Sequence, residues 1–213
     1  MNTLHFRRIA VAVSAAAVLP LALTACSSDD SKDAAAGSTP SAASSAASDG
    51  DSMNMDEPFG PACASVPKDG AGSFSGMAKD PVATAASNNP DLSTLVTAVK
   101  QAGLVDTLNN AQNITVFAPT NEAFAKIPKA DLDKLLANKA ELTKVLTYHV
   151  VGEKLTPKQL ENGSFDTLEK SKLTTSGSGM VYTVNDSSKV VCGNVPTANA
   201  TVYIIDTVLM PPK

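Results

Sequence analysis

Residue types that recognise charged or planar ligands are scarce in this sequence. Its 213 residues include no tryptophan, three tyrosines and six phenylalanines, and its only arginines are Arg7 and Arg8. Arginine provides bidentate recognition of phosphate and carboxylate groups, and aromatic side chains provide stacking surfaces. Residues 63–213 also balance 14 lysines against 14 acidic residues. A neutral, arginine-free segment of this kind excludes a nucleic-acid-binding protein and offers little for clamping sugars or acids.

Groups that carry catalysis or bind metals are also few. His149 is the only histidine beyond residue 5, and the sequence has no Cys-x-x-Cys pair and no Gly-x-Ser-x-Gly elbow. One histidine without clustered carboxylates or thiols gives too few ligands for zinc, although a Ser-His-Asp triad would need only one. Because His149 falls three residues after Leu146 on an apolar stripe, we expect a core or helix-end imidazole. The sequence predicts no enzyme activity, no metal site and no cofactor.

The N-terminal segment determines the expected compartment. Two arginines precede an apolar run of about fifteen residues, which is too short to span a bilayer comfortably. The run ends in Leu23-Thr24-Ala25-Cys26, which resembles a bacterial lipobox. We therefore predict a lipoprotein signal peptide at residues 1–25, a diacylglyceryl or N-acyl membrane anchor on Cys26, and a location on the extracytoplasmic face of the cell membrane. An ordinary secretory signal, or release of a soluble form, is the alternative.

Residues 26–60 are the expected second segment, in which the lipidated cysteine is followed by a tether rich in serine, alanine and aspartate. Removal of the signal peptide would leave 15 basic and 21 acidic residues, a net charge of −6. Residues 27–62 hold seven of the acids and one lysine, so this charge lies on the tether. Such a segment buries too little apolar surface to fold, and we expect it to be disordered. Hydroxyl glycosylation at Thr39-Pro40-Ser41 stays open.

The three cysteines divide between an anchor and a cross-link. Once Cys26 carries the lipid, Cys63 and Cys192 are left, and two thiols in an exported chain suggest one disulfide. Closing so long a loop contributes about 4–5 kcal/mol in the chain-entropy model.

Residues 61–213 have the length of a single domain. A helix is predicted from Asp91 as N-cap, another around Leu135, and a third from Asn138 with Glu141 as its capping partner. Strands are predicted at 114–118, 165–168, 181–184, 189–192 and 202–210, the last as a covered central strand. Helices followed by strands within one core indicate an α+β domain.

Two sequence blocks and a short motif resemble the signature of the fasciclin domain. The first block is TVFAPTNEAF from Thr115, the second is VYIIDTVLMPP from Val202, and Tyr148-His149 lies between them. The family often has histidine where Tyr203 stands. Residues 77–90 and the two remaining cysteines further resemble secreted and lipoprotein members from actinobacteria. The residues that carry the resemblance, through binding or through structure, are Thr115, Phe117, Ala118, Pro119, Thr120, Asn121, Phe124, Tyr148, His149, Tyr203, Ile205, Asp206, Leu209 and Pro211.

The resemblance implies two packed β-sheets that form a wedge with several helices on one side, and a role in adhesion at cell surfaces. We therefore expect a lipid-anchored cell-surface protein that mediates adhesion or protein–protein interaction with an unidentified cell-surface or host partner. The alternative is a membrane-tethered protein that binds a small ligand such as a lipid, heme or glycan. A closed apolar pocket would favour the carrier, whereas a filled core with an exposed groove would favour adhesion.

Two residues within the blocks carry specific expectations. Asp206 stands in an apolar run, and a buried carboxylate must be hydrogen-bonded. We expect it to accept hydrogen bonds from backbone N–H groups or a hydroxyl and to hold the two blocks together, with His149 as a candidate partner. A cation contact for a receptor is the alternative and would require an exposed carboxylate. Thr120 is expected to cap a helical turn, or else to form an exposed recognition edge.

Overall fold

The computed structural model describes residues 57–212, so the predicted signal peptide, Cys26 and most of the tether lie outside the described residues. No helix in the described range is long and apolar enough to cross a membrane. The α-helices are α1 (Phe74–Met77), α2 (Val82–Ser87), α3 (Ser93–Ala102), α4 (Val105–Asn110), α5 (Asn121–Ala125), α6 (Lys129–Ala137) and α7 (Lys139–Tyr148). The strands are β1 (Ile114–Pro119), β2 (Val150–Val151), β3 (Asn162–Asp166), β4 (Lys172–Ser178), β5 (Val181–Val184), β6 (Ser188–Pro196) and β7 (Ala200–Ile205).

The strands pair in the order β2-β1-β7-β6-β5-β4-β3. β1 and β7 run parallel, with Phe117 opposite Tyr203, and the other neighbours are antiparallel. The first strand of this order, β2, lies next to the residues that follow the last strand, β3. Val151 bridges to Thr167, and the Leu168 N–H donates to the Val150 carbonyl at 2.8 Å. The seven strands therefore form one continuous hydrogen-bonded sheet, and the two halves of this sheet are the two sides of the predicted wedge. This confirms the α+β fold.

The two central strands separate two hydrophobic cores. All six residues of β1 and of β7 are buried, as expected for covered strands. Because successive side chains of a strand point to opposite faces, Val116 and Val202 join the core under the helices. Phe117, Tyr203 and Ile205 join the core between the two halves of the wedge.

The folded part begins before the predicted boundary at residue 61. Phe59 pairs with Gly193 on β6 through two backbone hydrogen bonds, at 3.1 and 2.7 Å, and its ring lies 5.4 Å from that of Tyr182. Gly60 then turns the chain with φ at 111°, and a Cβ there would lie 2.5 Å from the Val191 carbonyl oxygen. A 3₁₀ turn follows at Pro61–Ser65, in which Cys63 is bonded to Cys192 of β6 across a Cα–Cα distance of 4.9 Å. This N-terminal segment therefore belongs to the domain.

Most predicted elements are present, and the differences have local causes. The predicted cap at Asn138 is confirmed, since its Oδ1 accepts the Glu141 N–H at 3.3 Å. The predicted cap at Asp91 is wrong, because α3 begins at Ser93 after a 3₁₀ turn at Pro90–Leu92.

The last strand also ends earlier than predicted, at Ile205 and not at Met210. There the Asp206 carboxylate, and not a backbone carbonyl, accepts the N–H of Lys189. Strand β4 was not predicted. Its sequence is mostly Thr, Ser, Gly and Lys, and only Leu173 and Thr175 of it are buried.

Candidate functional site

Most residues of the fasciclin-like blocks are buried parts of the fold. The Tyr203 ring stacks on Phe117 with a centroid distance of 5.8 Å, and its hydroxyl donates to the Leu155 carbonyl at 2.9 Å. Burial, with a smaller contribution from Tyr182, raises the pKa of Tyr203. The Thr115 hydroxyl donates to the Glu153 carbonyl and accepts the Leu155 N–H, both at 2.8 Å. The two blocks thus hold the loop after β2 against the sheet.

The Tyr148-His149 motif joins α7 to distant parts of the chain. The Tyr148 hydroxyl donates to the Lys172 carbonyl at 3.0 Å and accepts from Asn185 Nδ2 at 2.8 Å. His149 Nδ1 lies 2.7 Å from the Val145 carbonyl oxygen, and Nε2 accepts the Leu209 N–H at 2.9 Å. A ring that accepts at Nε2 must carry its proton on Nδ1.

His149 is therefore a structural imidazole at a helix end, as the sequence predicts. It is 2% exposed, and burial lowers its pKa to about 4, against a smaller opposing effect of the Val145 hydrogen bond. Both ring nitrogens are engaged with backbone groups, so neither is available to act as a base or a metal ligand. The expectation that His149 partners Asp206 is wrong, because its partner in the second block is Leu209.

The carboxyl ends of β1 and β7 meet at one edge of the sheet because the strands are parallel. Thr120 follows β1, and its hydroxyl accepts the Ala123 N–H at 3.1 Å, so the predicted cap of α5 is confirmed. Its backbone N–H donates to the Ile205 carbonyl at 3.1 Å. This contact joins the two blocks through the backbone at the edge.

Asn121 connects this edge to helix α3. Its Oδ1 accepts the Thr94 N–H at 2.9 Å and the Ser93 hydroxyl at 3.2 Å, and its Nδ2 donates to the Pro90 carbonyl at 2.9 Å. The first N–H groups of a helix have no partner within the helix. Asn121 therefore supplies, from a different element, the cap that α3 lacks locally.

Asp206 is the charged centre of the edge. Its carboxylate accepts from the Lys189 N–H at 2.9 Å, the Thr207 hydroxyl at 3.0 Å and the Lys126 ammonium at 3.2 Å. Burial by itself raises the pKa of Asp206, but these three donors together hold it below the ordinary value. The predicted acceptor role is present. The expected depth of burial is wrong, since the side chain is 31% exposed.

These residues surround a groove of 370 Å³, which we call the edge groove. The Ser65 hydroxyl donates to Asp91 Oδ2 at 3.0 Å on its wall, and Glu122 is exposed. Three carboxylates and several amide and hydroxyl groups suit it to a partner that donates hydrogen bonds or carries positive charge. Within residues 57–212 no group of three or more His, Cys, Asp or Glu could hold a metal ion. The edge groove is lined by Ala62, Ser65, Asp91, Thr120, Asn121, Glu122, Val191 and Asp206.

The remaining signature residues lie away from the edge groove. Ala118 and Phe124 are buried under the helices, and Leu209 is buried between the two halves of the wedge. Pro119 is the buried last residue of β1, and Pro211 is half-buried near the C-terminus. The four buried residues among them therefore contribute packing and not a recognition surface.

One buried polar residue was not singled out as a site from the sequence. Asn199 accepts the Val82 N–H at 2.8 Å and donates to the carbonyls of Leu108 and Ala111 at 2.8 and 2.6 Å. It is 7% exposed and joins α2 and α4 to the start of β7. These partners lie 88 to 117 residues away in the sequence, so no local pattern indicates them.

Comparison with known proteins agrees with this geometry. A family model described as Fasciclin domain matches residues 90–211. The chain is 49% identical over 161 residues to the immunogenic protein MPB70 of Mycobacterium bovis, covering 72% of this chain and 82% of that protein. It is 44% identical over 215 residues to the cell surface glycolipoprotein MPT83 of Mycobacterium tuberculosis, covering 95% and 96%.

The fold is also similar to that of a solved structure. This is the FAS1 domain pair from the insect cell adhesion molecule fasciclin I, with a TM-score of 0.52 and 21% identity, covering 63% of this chain and 52% of that chain. At this identity the likeness concerns the fold alone. The matched family model covers more than half of the sequence and includes both signature strands. The chain therefore belongs to the fasciclin domain family.

Proposed function

We propose that this protein is held at the extracytoplasmic face of the cell membrane by a lipid on Cys26 and presents its fasciclin domain for adhesion or protein–protein interaction. The observation that most supports this proposal is the similarity to a cell surface glycolipoprotein over 95% of this chain. Because so little of the chain lies outside that alignment, it includes Cys26 and the acidic segment that follows. The lipobox-like sequence supports the same anchor, and two acyl chains on one cysteine bind a membrane stably.

The edge groove is the surface that we propose for recognition. The strands that carry the signature are buried, whereas Thr120, Asn121 and Asp206 at their carboxyl ends are half-buried and Glu122 is exposed. Association driven by an acidic groove favours partners with lysine, arginine or amide donors on their surface. We propose no catalytic role, because His149 and Asp206 already have hydrogen-bond partners within the domain.

The anchor is tested by cell fractionation. We expect the wild-type protein in the membrane fraction and the Cys26→Ala variant in the medium. A metabolic label for fatty acids should appear on the wild type only. Membrane association of the variant equal to that of the wild type, or an unlabelled wild type, would show that Cys26 is not the anchor.

The interaction surface is tested by a pull-down from envelope and host extracts. Glu122→Lys reverses the charge in the edge groove, and Glu153→Lys makes the same change at an exposed residue outside it. We expect a partner retained by the wild type and by Glu153→Lys to be lost with Glu122→Lys. Equal loss with both variants would indicate non-specific charge effects. If the wild type retains no protein while a lipid co-purifies, the adhesion proposal is wrong.

The carrier alternative has one specific observation in its favour. An apolar cavity of 260 Å³ lies on the helical side of the sheet, separate from the edge groove.

A further inference from the structure

The cavity on the helical side has the lining of a small-molecule site. Its floor is the face of β1 and β7 that carries Val116, Val202 and Ile204, and helices α2, α3 and α4 form its walls. The cavity is partly open to solvent, since the exposed residues Thr84, Ser87 and Lys100 also line it. An apolar cavity of about 150 Å³ stays dry and binds benzene, so 260 Å³ has room for a larger apolar molecule.

One unpaired donor lies in this apolar lining. Asn89 is 2% exposed, and its Oδ1 accepts the Asp91 N–H at 3.0 Å. That hydrogen bond fixes the orientation of the amide, because the oxygen must face the backbone donor. Nδ2 is buried and has no hydrogen-bond partner among residues 57–212. A buried donor without an acceptor is destabilising, and an acceptor on a bound molecule would remove that penalty.

The charges around the cavity restrict what could accept this hydrogen bond. His149 also lines it, but its two nitrogens already contact backbone groups and the ring is neutral at physiological pH. Lys100 is the only charged residue among the described lining residues, and it is exposed at the surface. Burying a carboxylate beside Asn89 without a cation would be costly, whereas a neutral carbonyl or hydroxyl oxygen needs only one donor.

We propose that this cavity binds a neutral molecule with an aliphatic portion and one acceptor oxygen, which accepts a hydrogen bond from Asn89 Nδ2. At roughly 30 Å³ for each water-sized group, the volume holds about nine non-hydrogen atoms. Ketones, esters and alcohols of medium chain length have this chemistry. This site is independent of the edge groove, so it does not rest on the adhesion proposal.

Octan-2-one is the probe that tests the site, with the full chain as the protein. We expect titration to shift the methyl NMR signals of Val82, Leu95 and Val202 and to raise the melting temperature. Octanoate, which has the same chain length but a charged head, should bind at least about tenfold more weakly.

Three variants locate the probe. Val99→Phe fills the cavity and should abolish binding, whereas Val181→Phe, the same change at a 69% exposed site on β5, should leave the dissociation constant unchanged. Asn89→Asp keeps the oxygen that accepts the Asp91 N–H but removes the donor, and should raise the dissociation constant about tenfold. Thermal melting without ligand shows whether each variant folds. If either Val99→Phe or Asn89→Asp does not fold, the other variant tests the proposal.

The possible outcomes separate clearly. Binding that is weakened by Val99→Phe and by Asn89→Asp, but not by Val181→Phe, supports the proposal. Binding that survives Val99→Phe would place the probe elsewhere. Equal affinity for octanoate, or an unchanged affinity in Asn89→Asp, would show that the amide does not select the ligand. No binding up to the solubility limit of the probe would overturn the site altogether.

Discussion

Acidification should destabilise the domain through His149. The side chain is 2% exposed and holds the Leu209 N–H on Nε2 and the Val145 carbonyl on Nδ1. A proton added to Nε2 would remove the acceptor for Leu209 and place a positive charge in apolar surroundings. The folded state therefore resists protonation, while the unfolded chain does not.

The sign and size of this effect follow from the two pKa values. The pKa of His149 falls from 6.5 in the unfolded chain to about 4 in the folded domain. Between these values the unfolded state binds more protons, so stability is complete above pH 6.5 and is lost as the pH falls toward 4. At 1.36 kcal/mol per pH unit the loss amounts to about 3 kcal/mol. The Asp206 contribution is complete above its unfolded pKa of 3.8 and is lost only as the pH falls below that value, because its folded pKa is lower still.

Urea unfolding between about pH 7 and pH 4.5 measures this loss directly. No other histidine is present beyond residue 5, so the part of the slope that a histidine causes comes from His149, and the matched variant separates it from the carboxylates. His149→Gln is the matched variant, since its Oε1 could accept the Leu209 N–H but does not titrate. We expect it to be less stable than the wild type at neutral pH and to lose the slope. A wild-type stability that stays flat over the range, or an unchanged slope in the variant, would refute the role of His149.

Three further variants test contacts that hold the domain together. Asn121→Ala should lower the free energy of unfolding by about 1 kcal/mol, because α3 loses its cap, and an unchanged melting temperature would contradict this. Tyr203→Phe leaves the buried Leu155 carbonyl without its donor and should cost about 1–3 kcal/mol, measured by denaturant unfolding at constant m-value. Replacement of Cys63 and Cys192 by serine should cost about 4–5 kcal/mol, and a reducing agent should lower the wild type to the same stability but leave the variant unchanged.

Elements with a strong local signal could be predicted from the sequence. Residues 114–118 form a short β-branched and aromatic run, and the strand lies there. Asn138 and Thr120 each cap the helix that follows at short range, so their pattern is visible in a few neighbouring residues. β4 has no such signal because threonine, serine and glycine dominate it, and it is held by pairing with β3 and β5. Pairing between strands is not encoded in the composition of one of them.

The side chains of the candidate sites were harder to predict because their partners are distant in sequence. Asn121 caps a helix 27 residues earlier, and Asn199 contacts a backbone N–H 117 residues earlier. The sequence indicates Asn89 only as the residue before Pro90, which begins a 3₁₀ turn. Asparagine is common in loops for local reasons, so its presence alone does not distinguish an exposed turn from a buried connection.

The parallel pairing of β1 and β7 explains why the signature residues must be divided into two groups in any test of function. Phe117 and Ile205 are fully buried, so their replacement by alanine should weaken partner binding by unfolding the domain. Glu122 is exposed at the edge groove and makes no contribution to either core. Glu122→Lys should therefore weaken binding with only a small change in the melting temperature, since an acidic residue in the first turn of a helix contributes about 0.3–1 kcal/mol. If binding is lost only in variants that also melt at a lower temperature, the blocks are structural throughout, and the recognition surface lies elsewhere on the domain.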